Sequence, residues 1–147
     1  MKNKMRVYLD NCCFNRPFDD QTQLKISLES QAKIAVQHMI LTGIHTLAWS
    51  YMLEYENAQN PFEIRKDSII KWKEIAEVNV VENENILVRA ESLLKQGIKV
   101  KDAIHISCAV ECGCDYFLTT DAGILKKHID IIKIRNPIEF ISELEGL

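Results

Sequence analysis

Apolar residues in this chain fall into two patterns, short unbroken runs and longer stretches where they recur every three or four positions, and the two patterns alternate from end to end. The first run, residues 5–9, is β-prone and stops abruptly at Asp10. The polar, Pro-containing residues 11–22 read as a loop. Leu24, Ile26, Leu28, Ala32, Ile34, Ala35, Val36, Met39 and Ile40 keep helical spacing up to Gly43, a natural helix C-terminus. Residues 44–49 predict a second strand, after which Ser50 can cap a helix running through Met52, Leu53 and Glu54 to Pro61. Phe62, Ile64, Ile69, Ile70, Trp72 and Ile75 mark another helix, and Val78, Val80 and Val81 a third strand.

Residues 84–96 are amphipathic and stop at Gly97, and a further helix spans about 100–113. Tyr116-Phe117-Leu118 is a compact apolar strand ending in Thr119-Thr120-Asp121, followed by a short helix over 122–128 and a last strand over 131–134. Asn136-Pro137 breaks that strand before a C-terminal helix. Short apolar strands alternating with helices require right-handed βαβ crossovers, and so an α/β fold with a mainly parallel sheet covered on both faces.

At 147 residues, 47% hydrophobic and 27% charged, the composition is that of one globular domain over residues 1–147, with no repeat, linker or low-complexity tract. Residues 34–53 carry no Asp, Glu, Lys or Arg, but Gln37, His38, Thr42, Gly43, His45, Thr46 and Ser50 make them a poor membrane span. The basic start at residues 1–4 is followed by no signal-peptide core, and Cys12, Cys13, Cys108, Cys112 and Cys114 form no C-x-x-C pair. Both features lead us to expect a cytoplasmic protein with reduced thiols.

Most acidic residues, Glu74, Glu77 and Glu91 among them, lie beside Lys or Arg and read as solvated helix faces. Four do not. Asp10 and Asp121 each close an apolar strand, whereas Glu54 and Asp102 lie in the first turns of helices with hydrophobic neighbours. Ligands of open α/β sheets bind outside the carboxyl ends of the strands, where Asp10 and Asp121 project. Each of the four read singly is equally a helix cap or a first-turn acid favoured by the helix dipole. Four carboxylates converging on one crevice repel one another, and shared protons or bound cations relieve that. An oxygen-only donor set suits Mg²⁺ or Mn²⁺, whereas zinc draws His or Cys, and the matching chemistry is phosphoryl transfer or phosphodiester hydrolysis.

Val7-Tyr8-Leu9-Asp10-Asn11, Leu53-Glu54, Lys101-Asp102-Ala103-Ile104-His105 and Phe117-Leu118-Thr119-Thr120-Asp121, in that order and spacing, resemble the four motif blocks of PIN-domain nucleases, including the toxins of toxin–antitoxin modules. The closing Asn136-Pro137-Ile138-Glu139-Phe140 resembles the way many such domains end, so the likeness spans essentially the whole chain. It implies a five-stranded parallel sheet in the order 3-2-1-4-5, a Mg²⁺ or Mn²⁺ site, single-stranded RNA as substrate, an antitoxin partner and a homodimer. Asp10, Glu54, Asp102 and Asp121 match the family's acidic positions, with Asp10, Asp102 and Asp121 as metal ligands and Glu54 coordinating or orienting the water. Asn11 stands where many members have Thr or Ser, and its amide can still bond a water or phosphate. Glu56 competes for the second acidic role; positions i and i+2 of a helix cannot share a face, and Glu54 is the choice the motif favours.

Asn11, Arg16, Lys101 and Thr120 are candidate substrate contacts, and Lys99, Lys126 and Lys127 flank the same crevice. His105, three residues after Asp102, suits a ligand or proton-transfer role as well as a packed, hydrogen-bonded histidine. Cys108 and Cys112 read as small hydrophobes, and Trp49 and Trp72 as core anchors. A PIN-like module that binds RNA or protein without cutting is the alternative reading. An aspartyl-phosphate phosphohydrolase is disfavoured, because Cys12 stands where its second Asp would be. The formal charge of -3 weighs against a broadly basic nucleic-acid surface, but setting aside the four candidate site carboxylates leaves 18 basic and 17 acidic residues.

Overall fold

The structure is a computed structural model that describes residues 4–146, so the first three residues of the basic start, and Leu147, lie outside the described residues. Its strands are β1 (Arg6–Leu9), β2 (Thr46–Ser50), β3 (Val78–Val80), β4 (Tyr116–Leu118) and β5 (Lys133–Arg135). They form one sheet in the order β3-β2-β1-β4-β5, and every neighbouring pair is parallel. This is the architecture the resemblance implies. Val7, Tyr8 and Leu9 of β1 are all fully buried, and since successive strand residues point to opposite faces, both faces of the sheet centre are covered.

The covering helices are α1 (Asn11–Asn15), α2 (Leu24–Leu41), α3 (Tyr51–Ala58), α4 (Glu63–Ile75), α5 (Glu84–Leu94), α6 (Val100–Glu111), α7 (Ala122–Leu125) and α8 (Pro137–Leu144). Their starts are fixed by side chains. Ser50 Oγ accepts from the Leu53 amide at 3.1 Å, and Asn83 caps α5 through the Ile86 amide at 3.0 Å. Asn136 and Glu139 form a capping box with Pro137 at the first helical position. Gly43 and Gly97, at φ of +80° and +84°, take the left-handed conformation that ends α2 and α5.

Three expectations change. Residues 11–15 form a helix, not a loop, because the Asp10 carboxylate and carbonyl accept the first amide protons and Cys13 and Phe14 bury into the core. The last strand lies at Lys133–Arg135, slightly later than its apolar run suggested. Most consequentially, α2 turns its polar side inward: Glu29, Ser30, Lys33 and Gln37 are buried with Val36 and Ile40, while Leu24, Leu28, Ile34 and Leu41 are exposed. The fully buried Glu29 carboxylate is held by Arg16 Nε at 2.9 Å and Asn136 Nδ2 at 2.5 Å. The Lys33 ammonium lies 5.6 Å from the Phe14 ring centroid, and burial pulls its pKa down to about 8.

Candidate active-site cleft

Because all strands run the same way, the residues that follow β1 and β4 emerge at one edge of the sheet. Asp10 follows β1 and is buried. Its Oδ1 accepts the Asn11 amide at 2.8 Å, and its Oδ2 accepts the Thr119 hydroxyl at 2.9 Å and the Cys12 thiol at 3.4 Å. The same Thr119 oxygen accepts the Asp121 amide at 3.1 Å, so one hydroxyl ties the two aspartates together across adjacent strands. Asp121 also caps α7 through the Gly123 amide at 2.7 Å. Capping and a place at the cleft therefore coexist in Asp10 and Asp121.

Asp102, in the first turn of α6, faces the same space. Its carboxyl is pushed up to about 6, chiefly by burial and then by the charges of Asp10 and Asp121, with Glu56 adding and His105 opposing. Two lobes of the cleft meet at Asp102 and Asp121, which line both. One lobe, about 210 Å³, is completed by Asp10, Asn11, Cys12, Glu56 and Lys101. The other, about 150 Å³, is completed by Gly97, Ile98, Lys99, Gly123, Ile124 and Lys127.

At the second acidic position the structure places Glu56, and not Glu54, at the cleft. Glu54 is exposed on the outer side of α3 and pairs with Lys73, away from the cleft, whereas Glu56 lines it. The phase of α3 explains this: Leu53 is fully buried, and position 56 lies three residues on, within the same inward stripe. Glu56 receives Asn11 Nδ2 at 3.5 Å and meets His105 Nε2. Burial alone would raise its pKa, but the hydrogen bond from His105, with the charges of His105 and Lys101 and the contact with Asn11, carries it below the usual range.

Among the other candidates, Asn11, Lys99, Lys101 and Lys127 line the cleft, and Lys126 does not. Arg16 does not either: it is committed to Glu29 and, at 3.1 Å, to Asp19. Thr120 is buried with its amide on Cys12 Sγ at 3.3 Å, and it is the neighbouring Thr119 that presents its hydroxyl to Asp10. Cys12 and Thr119 thus belong to the site without having been singled out, and position relative to a strand end is the sequence signal they share. Trp49 is fully buried, edge-on to Phe14 at 5.7 Å, and Cys108 and Cys112 are buried free thiols.

Whether the cleft suits a hard divalent ion can be judged from its donors. They are carboxylate oxygens, and the charges of Asp10, Asp121 and Glu56 help to raise the proton affinity of Asp102, an electrostatic pressure that a cation relieves. Among the described residues no three His, Cys, Asp or Glu side chains draw close enough to form a coordination shell alone. That spacing fits Mg²⁺ or Mn²⁺ held by one or two carboxylates with water completing the shell, and does not fit a closed zinc site.

Sheet order, crossovers and the acidic edge define an α/β protein with the PIN-domain fold. Solved structures with this fold include FitAcB from Neisseria gonorrhoeae, 13% identical over 89% of this chain and 97% of that one, with a TM-score of 0.59. VapBC2 from Rickettsia felis, bound to a DNA fragment from its promoter, is 13% identical over 90% and 98% with a TM-score of 0.57. VapBC-1 from nontypeable Haemophilus influenzae is 16% identical over 90% and 98% with a TM-score of 0.59. No protein-family model and no curated protein matches the chain.

Proposed function

We propose that the chain is a divalent-metal-dependent endoribonuclease that cuts single-stranded RNA and acts as the toxin of a toxin–antitoxin pair. The observation that carries this reading is the convergence of Asp10, Asp102, Asp121 and Glu56 on one cleft at the carboxyl edge of a parallel sheet. The fold shared with chains of the FitAcB and VapBC structures, which are toxin–antitoxin complexes, supports the pairing with an antitoxin. A homodimer belongs to the same reading. No helix of the described residues is long and apolar enough to cross a membrane.

Asp10, Asp102 and Asp121 would hold Mg²⁺ or Mn²⁺, one or two of them directly and the rest through its water shell. Such an ion, when bound, would supply electrostatic stabilisation of the charge gathering on the scissile phosphate and would lower the pKa of a water. Thr119 and the Asn11 amide keep both oxygens of Asp10 in place, which fixes its angle toward the cleft. Glu56, ionised at neutral pH, accepts a proton from the attacking water. Lys101 in one lobe and Lys99 and Lys127 in the other offer ammonium groups to the phosphates on either side of the cut.

The test is cleavage of labelled single-stranded RNA with Mn²⁺ or Mg²⁺, then with EDTA, alongside Asp10→Asn. The reading expects cutting that EDTA and Asp10→Asn both abolish. Cutting that persists in either refutes metal-dependent catalysis, and RNA binding without cutting assigns the chain to a binding role.

A further inference from the structure

Beneath the carboxylates lies a second, buried layer. His105 is fully buried, yet both its ring nitrogens are engaged, Nε2 with the Glu56 carboxylate and Nδ1 with Tyr8 Oη at 2.6 Å. Tyr8 Oη also meets Ser50 Oγ at 2.6 Å, and Ser50 caps α3 through the Leu53 amide. The contacts close into a ring: Ser50 starts the helix that carries Glu56, Glu56 meets His105, His105 meets Tyr8, and Tyr8 returns to Ser50.

Counting donors sets the direction of the ring. An ionised Glu56 only accepts, so the proton it shares with the imidazole sits on Nε2. The buried Tyr8 phenol, its pKa pushed well above its ordinary value by burial, keeps its proton and donates it to Nδ1. Ser50, whose oxygen already accepts the Leu53 amide, donates to Tyr8. With a neutral ring, every hydrogen in the circuit has an acceptor.

The circuit answers a specific electrostatic difficulty. Glu56 lines a cleft that also holds Asp10, Asp102 and Asp121, where its charge opposes that of Asp102 and Lys101 only partly offsets the crowding. His105 stands one turn after Asp102 on α6, so a single helix sets the places of both acids. We propose that His105 is a positioning residue that keeps the Glu56 carboxylate aimed into the cleft by donating Nε2–H, its tautomer selected by Tyr8. The role deepens the nuclease reading and rests on it for its catalytic consequence.

The test compares the full chain with His105→Leu, which fills the space without a donor, and His105→Gln, whose amide reaches a similar point with an N–H. His105→Leu lowers kcat by about 10–100-fold, the range for loss of a supporting hydrogen bond, with KM little changed. His105→Gln restores most of the rate. In a Glu56→Gln background His105→Leu adds less than about a twofold loss, because the pair acts as one unit. Equal losses in both backgrounds, or a loss carried by KM, overturn the proposal. A second readout needs no RNA: long-range proton–nitrogen NMR spectra at pH 7 show His105 protonated on Nε2 and bare on Nδ1. The opposite tautomer, or exchange between the two, overturns the proposal equally. If the unaltered chain cuts no RNA with either ion, the nuclease reading fails, and the spectrum still decides whether His105 holds Glu56.

Discussion

Arg16→Ala separates a structural role from a substrate role at a residue whose sequence context suggested phosphate contact. Arg16 Nε lies 2.9 Å from Oε1 of the fully buried Glu29, while the other Glu29 oxygen stays bonded to Asn136. Removing one partner of a buried ion pair costs about 3–5 kcal/mol, because the remaining charge is left without compensation. Asn136 retains part of that compensation, which brings the expected loss to about 2–3 kcal/mol. With a urea m-value of about 2 kcal/mol/M, the midpoint falls by about 1–1.5 M. Adding Glu29→Gln removes the stranded charge and recovers at least half of the loss. A midpoint unchanged to within about 0.25 M, together with RNA binding weakened tenfold, refutes this reasoning and returns Arg16 to the substrate surface.

Three further outcomes follow from the site and the core. Glu56→Gln lowers the rate of RNA cleavage by about 100-fold or more, while Glu54→Gln, which loses an exposed ion pair with Lys73, changes rate by less than about twofold and stability by less than about 1 kcal/mol. Asp102 binds its proton more tightly in the fold than in the unfolded chain, so its ionisation weakens the fold as pH rises from about 4 to about 6. Asp102→Asn therefore stabilises the fold at pH 7.5 by about 1 kcal/mol after allowance for partial exposure, which appears as a higher Tm, and thermal melts show Mg²⁺ stabilising the unaltered chain more than the variant. Lys33 behaves oppositely: its pKa of about 8 in the fold lies below the unfolded value of about 10.4, so stability is gained as pH rises between those values. Lys33→Met is expected to be more stable at pH 7 by about 2 kcal/mol, an advantage that urea titrations show fading by pH 10.5.

Asp10 and Asp121 were legible because a carboxylate that ends an apolar run in a parallel α/β pattern has one place to go, the carboxyl edge of the sheet. Asp102 was legible for a similar reason at a helix start. Glu56 was legible only as the competitor of Glu54, although the deciding cue was present: Met52 and Leu53 set the inward phase of α3, and position 56 follows that phase while 54 does not. Nothing local marked the inward turn of Glu29 and Lys33. Their burial depends on Arg16, Phe14 and Asn136, and Asn136 lies 107 residues away from Glu29. The helix at Asn11–Asn15 was hidden at the head of the polar, Pro-containing stretch over residues 11–22, and tertiary burial of Cys13 and Phe14 outweighs weak local propensity there.

The central place of β1 also dictates when the cleft can exist. Asp10 takes its bond from Thr119, 109 residues further along, and β1 cannot be flanked on its second side until Tyr116–Leu118 has been made. Closing so long a loop comes late in folding, because its entropy must be spent before the contact returns anything. A chain still emerging from the ribosome already carries Asp10 and Glu56 but lacks Thr119 and Asp121 to set beside them. The acidic cleft is thus absent from every copy not yet extended past Asp121.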